Sequence, residues 1–294
     1  MVDTTLLVGR PPSSGVTARG LPEETTVARL GLRVADIDRV MTFYREVIGL
    51  ESIDRTSEGL VLGVNPRPLV VLESPPDLFP RPPDAAGLYH AAFRAPTREA
   101  LAGVFHRLEA ANALDGAADH GFSEALYATD PEDNGIEVYL DAPREQWPRD
   151  DRGRLGVRND RLDPTRLRIA DRSEPLPAGT DLGHVHLEVT DVDRSLQFYR
   201  DVLGFRLQMR PGPDAAFLAA GDYHHHIAVN TWGRRTGRLR GRGLSWIELD
   251  VGTASAVASV RTRLETHGWA IRSIPGGVAS SDPDGITVRF VSTG

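Results

Sequence analysis

Short runs of alternating hydrophobic and polar residues, separated by helix-length amphipathic stretches, recur four times along the chain. GIEVYL, residues 135–140, is the clearest strand: Ile136, Val138 and Leu140 go to one face, Glu137 and Tyr139 to the other. The stretch ahead of it, HGFSEALYATDPEDNGIE at 120–137, ends a strand at Leu126-Tyr127 and turns through Asp130-Pro131 and Asn134-Gly135. A strand with one wet face would account for an isolated Glu137. Turned inward, that carboxylate needs a cation or a metal beside it.

The first unit opens with a strand at 28–34, and Asp36 caps a helix through Phe43-Tyr44 to Val47-Ile48 that Gly49 stops. Three short strands are expected near 50–56, 58–64 and 68–73. A second unit starts with LYHAAFRA (88–95), has Thr97 as cap and a helix through Leu101, Val104, Phe105 and Leu108, and ends in GIEVYL. LEVTDVDRSLQFYRDVLGF then copies LRVADIDRVMTFYREVIGL of the first unit. The fourth unit begins at LSWIELDV (244–251), has its helix at 254–267, and ends in SDPDGITVRF, an echo of TDPEDNGIEVY. The period of about 50–60 residues predicts a fourfold βαβββ repeat of α+β class. One such unit leaves its sheet half covered, so units are expected to pair into two open barrels with concave interiors. The expected limits are an N-terminal arm at 1–26, a module pair at 27–142, a linker at 143–179 and a second module pair at 180–294.

At 294 residues and 40% hydrophobic, the chain can bury two sizeable cores. A net charge of −7 argues against nucleic acid as the main partner, and the Arg cluster RRTGRLRGR at 234–242 reads as a solvated loop. There is no Cys, so any metal must be held by His and carboxylate. No apolar run suits a signal peptide or a membrane span, which leads to the expectation of a cytoplasmic protein.

With these motifs the chain resembles the vicinal oxygen chelate superfamily over 27–142 and 180–293. That superfamily includes glyoxalase I, bleomycin-resistance proteins and extradiol dioxygenases, and the likeness is greatest to catechol 2,3-dioxygenases. Its metal His opens a unit's first strand, seven residues before the capping Asp: His184 before Asp191 in the third unit, but Arg29 before Asp36 in the first. The second unit has His90 and Glu137 at the ligand positions, the fourth Trp246 and Thr287. The resemblance therefore implies a two-His, one-carboxylate triad of His90, Glu137 and His184 for Fe(II), with Mn(II) as the alternative ion. His186 is the neighbour that could replace His184.

The extradiol pattern of His, Leu-Tyr, Asp-Pro and Glu is met by His120, Leu126-Tyr127, Asp130-Pro131 and Glu137. It departs at Ala118 and Asp133, both read as turn positions where Gly or Pro is usual. An acid–base His in a His-x-x-Ala-apolar context is supplied by YHHHIAVN as His225, with His226 the rival.

What the resemblance implies is ring cleavage of a catechol by O2 to a semialdehyde. His225 or Tyr127 would assist deprotonation, His225 would act as general acid, and His120 and Tyr127 would hydrogen-bond the substrate oxygens. The competing readings are a glyoxalase-like lyase or isomerase on Zn or Ni, and a metal-free binding protein. A homo-oligomer is compatible with either. Because no single half owns a full ligand set, the second unit is expected to pair with the third and the first with the fourth. That pairing requires His90 and His184 to lie within about 10 Å.

Overall fold

The computed structural model describes residues 20–168 and 174–293. Its first unit runs β1 (Thr26–Arg33), α1 (Ile37–Phe43), β2 (Glu51–Arg55), β3 (Leu60–Val64) and β4 (Arg67–Glu73). The second runs β5 (Gly87–Arg94), α2 (Arg98–Ala110), β6 (Gly116–Asp119), β7 (Ser123–Thr129) and β8 (Gly135–Asp141). A short strand, β9 (Asp160–Arg161), precedes the third unit: β10 (Asp181–Glu188), α3 (Val192–Leu196), β11 (Arg206–Gly212), β12 (Ala215–Ala219) and β13 (Ile227–Asn230). The fourth comprises β14 (Gly243–Asp250), α4 (Ala254–Thr266), β15 (Arg272–Ile274), β16 (Gly277–Ser281) and β17 (Thr287–Val291).

The helices start where the sequence supplies a side-chain acceptor for their free N–H groups. Asp36 and Asp191 accept from the backbone N–H of Arg39 and Arg194, and Thr97 and Thr253 from those of Ala100 and Ala256. Each cap contributes about 1 kcal/mol. The expected helix to Ile48 forms as α1 followed by a wider π turn over Tyr44–Ile48, and Gly49 ends it at φ +94°. The third unit repeats the π turn at Gln197–Val202.

Two antiparallel seams join the units. β5 pairs with β10, and β1 with β14, so the second unit pairs with the third and the first with the fourth. Within each unit the first strand lies parallel to the last: β5 with β8, β10 with β13, β1 with β4 and β14 with β17. Buried carboxylates of the Asp-Pro turns clamp the sequence-adjacent units as well. Glu132 accepts from the backbone N–H groups of Ala35 and Asp36, and Asp284 from the N–H and hydroxyl of Thr190.

Several expectations change. Both faces of β8 are buried: Ile136, Val138, Glu137 and Tyr139 are all 3% exposed or less. Ala118 is not a turn residue. It sits in β6, between Ala125 of β7 and Arg161 of β9, where its alanine side chain fits a half-buried strand. Asp133 does occupy a turn, at φ +67°. The Arg cluster at 234–242 is not simply solvated: Arg235, together with Arg81, pairs with the buried Glu188, and Arg240 pairs with Asp84. A buried carboxylate attracts these guanidinium groups because it cannot stay ionised alone.

Of the expected arm, residues 1–19 lie outside the described residues; Leu21 and Thr25 are buried, and the Leu21 N–H donates to the Gly204 carbonyl. The linker is structured where described, with Leu162, Leu167 and Leu176 buried and β9 added to the edge of β6. No helix among the described residues is long and apolar enough to cross a membrane.

Candidate metal centre

Register places the candidate ligands on one concave face. His184 pairs with Ala92, Ala92 with Glu137, and Glu137 with Tyr127, a single row across β10, β5, β8 and β7. Paired residues point to the same side of a sheet, and residues two apart along a strand do too, which adds His90 and His186. The row converges because the sheet curls: His90 Nε2 and Glu137 Oε2 are 2.9 Å apart, and His184 Nε2 is 3.3 Å from each.

This triangle fits a metal ion. Bonds of about 2.1 Å at right angles put neighbouring donor atoms about 3 Å apart. Charge agrees with distance. Glu137 is 3% exposed, and its only ion-pair partners among the described residues are the two imidazoles. Burial pushes the Glu137 carboxyl up, but the adjacent His184 and His90 outweigh it and hold the group well below the usual carboxylate range. Burial lowers His184 to about 4 against the pull of Glu137, so at neutral pH its ring is neutral and its Nε2 can offer a lone pair. A buried anion beside the neutral His184 ring calls for a positive charge nearby, which a cation would supply.

His186 shares the cavity but not the triangle. Its Nε2 takes a hydrogen bond from Asn230 Nδ2 at 2.9 Å, which occupies the lone pair a metal would need. His184, His224 and His225 also cluster within 4.8 Å. There both His224 nitrogens are engaged, with His225 and with Asp141, and the cluster is a hydrogen-bonded chain.

The triangle lies in a cavity of about 350 Å³ that also contains His120, Tyr127 and His225. His120 Nδ1 donates to the Arg158 carbonyl at 3.1 Å, leaving Nε2 to accept the Tyr127 hydroxyl at 2.7 Å. Tyr127 is kept as a phenol, its pKa raised by burial and then by Glu137. His225 and His226 are separated by a bend. Continued alternation from Ala228 on β13, which pairs with His186, would send His226 into the cavity. The strand begins only at Ile227, however, and in the chain ahead of it His225 faces the cavity while His226 Nδ1 accepts the Ala220 N–H at 3.2 Å.

Sequence reasoning missed the cavity's outer wall. Val157 and Asn159 reach in from the linker, and Tyr89 and Trp232, 41% and 51% exposed, meet edge to face at 5.4 Å at its rim. An exposed aromatic beside a ligand on β5 was the available signal for Tyr89; nothing marked the linker residues.

The other seam has no such centre among the described residues. Arg29 pairs with Glu248 at 2.6 Å, Trp246 Nε1 donates to Glu73 at 2.5 Å, and Arg289 lies 3.7 Å over the Trp246 ring. Ion pairs and an indole fill the positions that correspond to the candidate ligands of the first barrel.

The family model for the Glyoxalase/Bleomycin resistance protein/Dioxygenase superfamily matches residues 26–138 and 181–290. The chain is 33% identical over 279 residues to catechol-2,3-dioxygenase of Bacillus subtilis (strain 168), covering 92% of this chain and 98% of the relative. Among solved structures it resembles a proposed dioxygenase of Bacillus subtilis subsp. subtilis str. 168, at TM-score 0.61 and 13% identity over 91% of this chain and 84% of that one. It also resembles glyoxalase I from Zea mays, at TM-score 0.57 and 20% identity over 91% and 92%. At these identities the structural likenesses speak for the fold alone.

Proposed function

The chain belongs to the Glyoxalase/Bleomycin resistance protein/Dioxygenase superfamily, and from that premise we propose that it is an extradiol dioxygenase opening catechol-type diols with O2 at a mononuclear Fe(II) held by His90, Glu137 and His184. One observation carries the reading: a three-donor triangle, with His225 and the Tyr127–His120 pair, in a single cavity. The curated relative's activity supports it.

In the net reaction one ring C–C bond beside the diol breaks, and both atoms of O2 enter the ring-opened semialdehyde. When bound, the ferrous ion supplies the redox chemistry that joins O2 to the ring. The side chains do the rest. His225 takes a proton from a diol hydroxyl and returns it during ring opening. Tyr127, whose own hydrogen goes to His120, offers its phenol oxygen as an acceptor for the second hydroxyl. Phe122, Phe217 and Trp232 line the cavity and exclude water from the reacting atoms.

The lining also supports a substrate class. It includes no Arg, and its one carboxylate is Glu137. A carboxylated diol would bury a second anion without a partner, whereas alkyl or aryl substituents would meet aromatic walls. The expected substrates are uncharged, apolar-substituted catechols.

Anaerobic purification with metal analysis, followed by O2 uptake on a panel of catechols, tests the proposal. Stoichiometric iron, uptake of one O2 per diol and a yellow product are expected, with alkylcatechols ahead of carboxylated ones. Zn or Ni with isomerisation of a hemithioacetal and no O2 uptake would move the protein to the glyoxalase reading. Failure to bind metal at all would favour a small-molecule binder.

A further inference from the structure

Behind His225 runs a chain of hydrogen bonds that the proposed reaction leaves without a task. Asp141 Oδ1 lies 2.9 Å from His224 Nε2, and His224 Nδ1 lies 2.8 Å from His225 Nδ1. With both rings neutral, proton counting allows one arrangement. An ionised carboxylate can only accept, so His224 carries its hydrogen on Nε2. A neutral imidazole has a single N–H, so His224 Nδ1 is bare and must itself accept. His225 then donates from Nδ1, and its Nε2 keeps a free lone pair in a ring that lines the cavity. No hydrogen bond engages that Nε2 among the described residues.

The chain is held from all sides. The His224 ring is packed between Phe122, with centroids 4.6 Å apart, and Tyr223, at 4.0 Å. Asp141 Oδ2 accepts the Tyr223 hydroxyl at 2.9 Å and faces an Arg94 nitrogen at 3.4 Å. Burial resists ionising Asp141, but hydrogen bonds from His224 and Tyr223 and the charge of Arg94 hold it below the usual carboxylate range.

We propose that Asp141, acting through His224, fixes the tautomer and orientation of His225 so that its Nε2 lone pair faces the bound diol. Asp141 and His224 are thus positioning residues. The proposal rests on the dioxygenase reading for the identity of the diol, but the proton arrangement does not depend on it.

The test uses full-length protein carrying 15N-labelled histidine and loaded with diamagnetic Zn(II), with His225 assigned by comparison with His225→Gln. Imidazole 15N shifts of the wild-type protein are expected to show His225 protonated at Nδ1 and bare at Nε2. Protonation at Nε2 overturns the proposal.

Asp141→Asn gives the second arm. Tyr223 and Arg94 donate to one side of the residue and keep the amide oxygen there, which turns the NH2 toward His224 Nε2. Each proton along the chain then reverses, and His225 presents Nε2–H to the cavity. The expected result is an inverted 15N pattern, unchanged iron content, kcat lower by about 100- to 10,000-fold and KM for the diol within about threefold. Unchanged kcat or an unchanged tautomer overturns the proposal. The expected tautomer in a wild-type protein that consumes no O2 with any diol supports the positioning and overturns the dioxygenase reading instead.

Discussion

His90 and His184 are 94 residues apart in sequence, yet their Nε2 atoms lie 3.3 Å apart across the seam between β5 and β10. Glu137 completes the triangle from β8, the parallel neighbour of β5.

His90→Ala, Glu137→Ala and His184→Ala are each expected to lose stoichiometric metal while keeping native far-UV circular dichroism. Two remaining donors hold a divalent ion weakly, and the sheet hydrogen bonds do not depend on these side chains. Retention of full iron and full activity by any one variant would remove that residue from the ligand set.

Replacing His225 by Ala is expected to leave metal content intact and to reduce turnover by about 100- to 10,000-fold, the range for a lost general acid or base. His226→Ala should change turnover by less than about threefold, because its ring bonds the Ala220 N–H away from the cavity. The opposite ranking in steady-state kinetics would exchange the two assignments.

A pH effect on stability is expected from Asp282, in the turn before β17. Burial pushes this carboxyl up to about 7, against hydrogen bonds from the Ile286 and Asp284 N–H groups and the Tyr199 hydroxyl. An unfolded aspartate titrates near about 4, so the folded protein holds the extra proton between those values. The stabilisation is therefore complete below about pH 4 and is lost as pH rises through about 7. Relative to Asp282→Asn, wild-type stability should fall by about 1.4 kcal/mol per pH unit between about pH 5 and 7. Urea unfolding at both pH values checks it, and parallel curves for the two proteins would refute the assignment.

Gly183 of β10 leaves room for the Tyr139 hydroxyl, which a Cβ would overlap. That hydroxyl is fully buried and shares a hydrogen bond with Tyr223 at 2.7 Å. Gly183→Ala is expected to destabilise by about 1–3 kcal/mol and, being next to His184, to weaken metal retention. Thermal unfolding and metal analysis of the purified variant measure both effects.

How much of this was legible in the sequence depended on whether the signal was local. The four units were, because caps such as Asp36 and Asp191, and the paired turns TDPEDNG and SDPDG, stand at repeating intervals. Unit pairing was also legible, through an indirect route: His90 and Glu137 need a third donor, and only the third unit has one at the right position. Arg235 was read as solvated because its partner Glu188 lies 47 residues away, across the seam from Arg81. Asp141 gave no sign of its contact with His224, since their separation of 83 residues is bridged only by the closed barrel. The choice between His225 and His226 turned on where β13 begins, a boundary that strand alternation cannot locate.

The crossed seams set a waiting time during synthesis. β1 and β5 leave the ribosome early, but the partners that cover their edges, β14 and β10, come from the far side of the chain. At about 5–20 residues per second, β1 stays without β14 for roughly 10–40 s. Unpaired edges are templates for other strands, so nascent chains on one message are exposed to mispairing throughout that interval. The triangle of His90, Glu137 and His184 closes earlier, once β10 is made, because His184 is translated last of the three. A ribosome stalled between the halves would therefore release a product with half-formed barrels that has His90 and Glu137 but lacks His184.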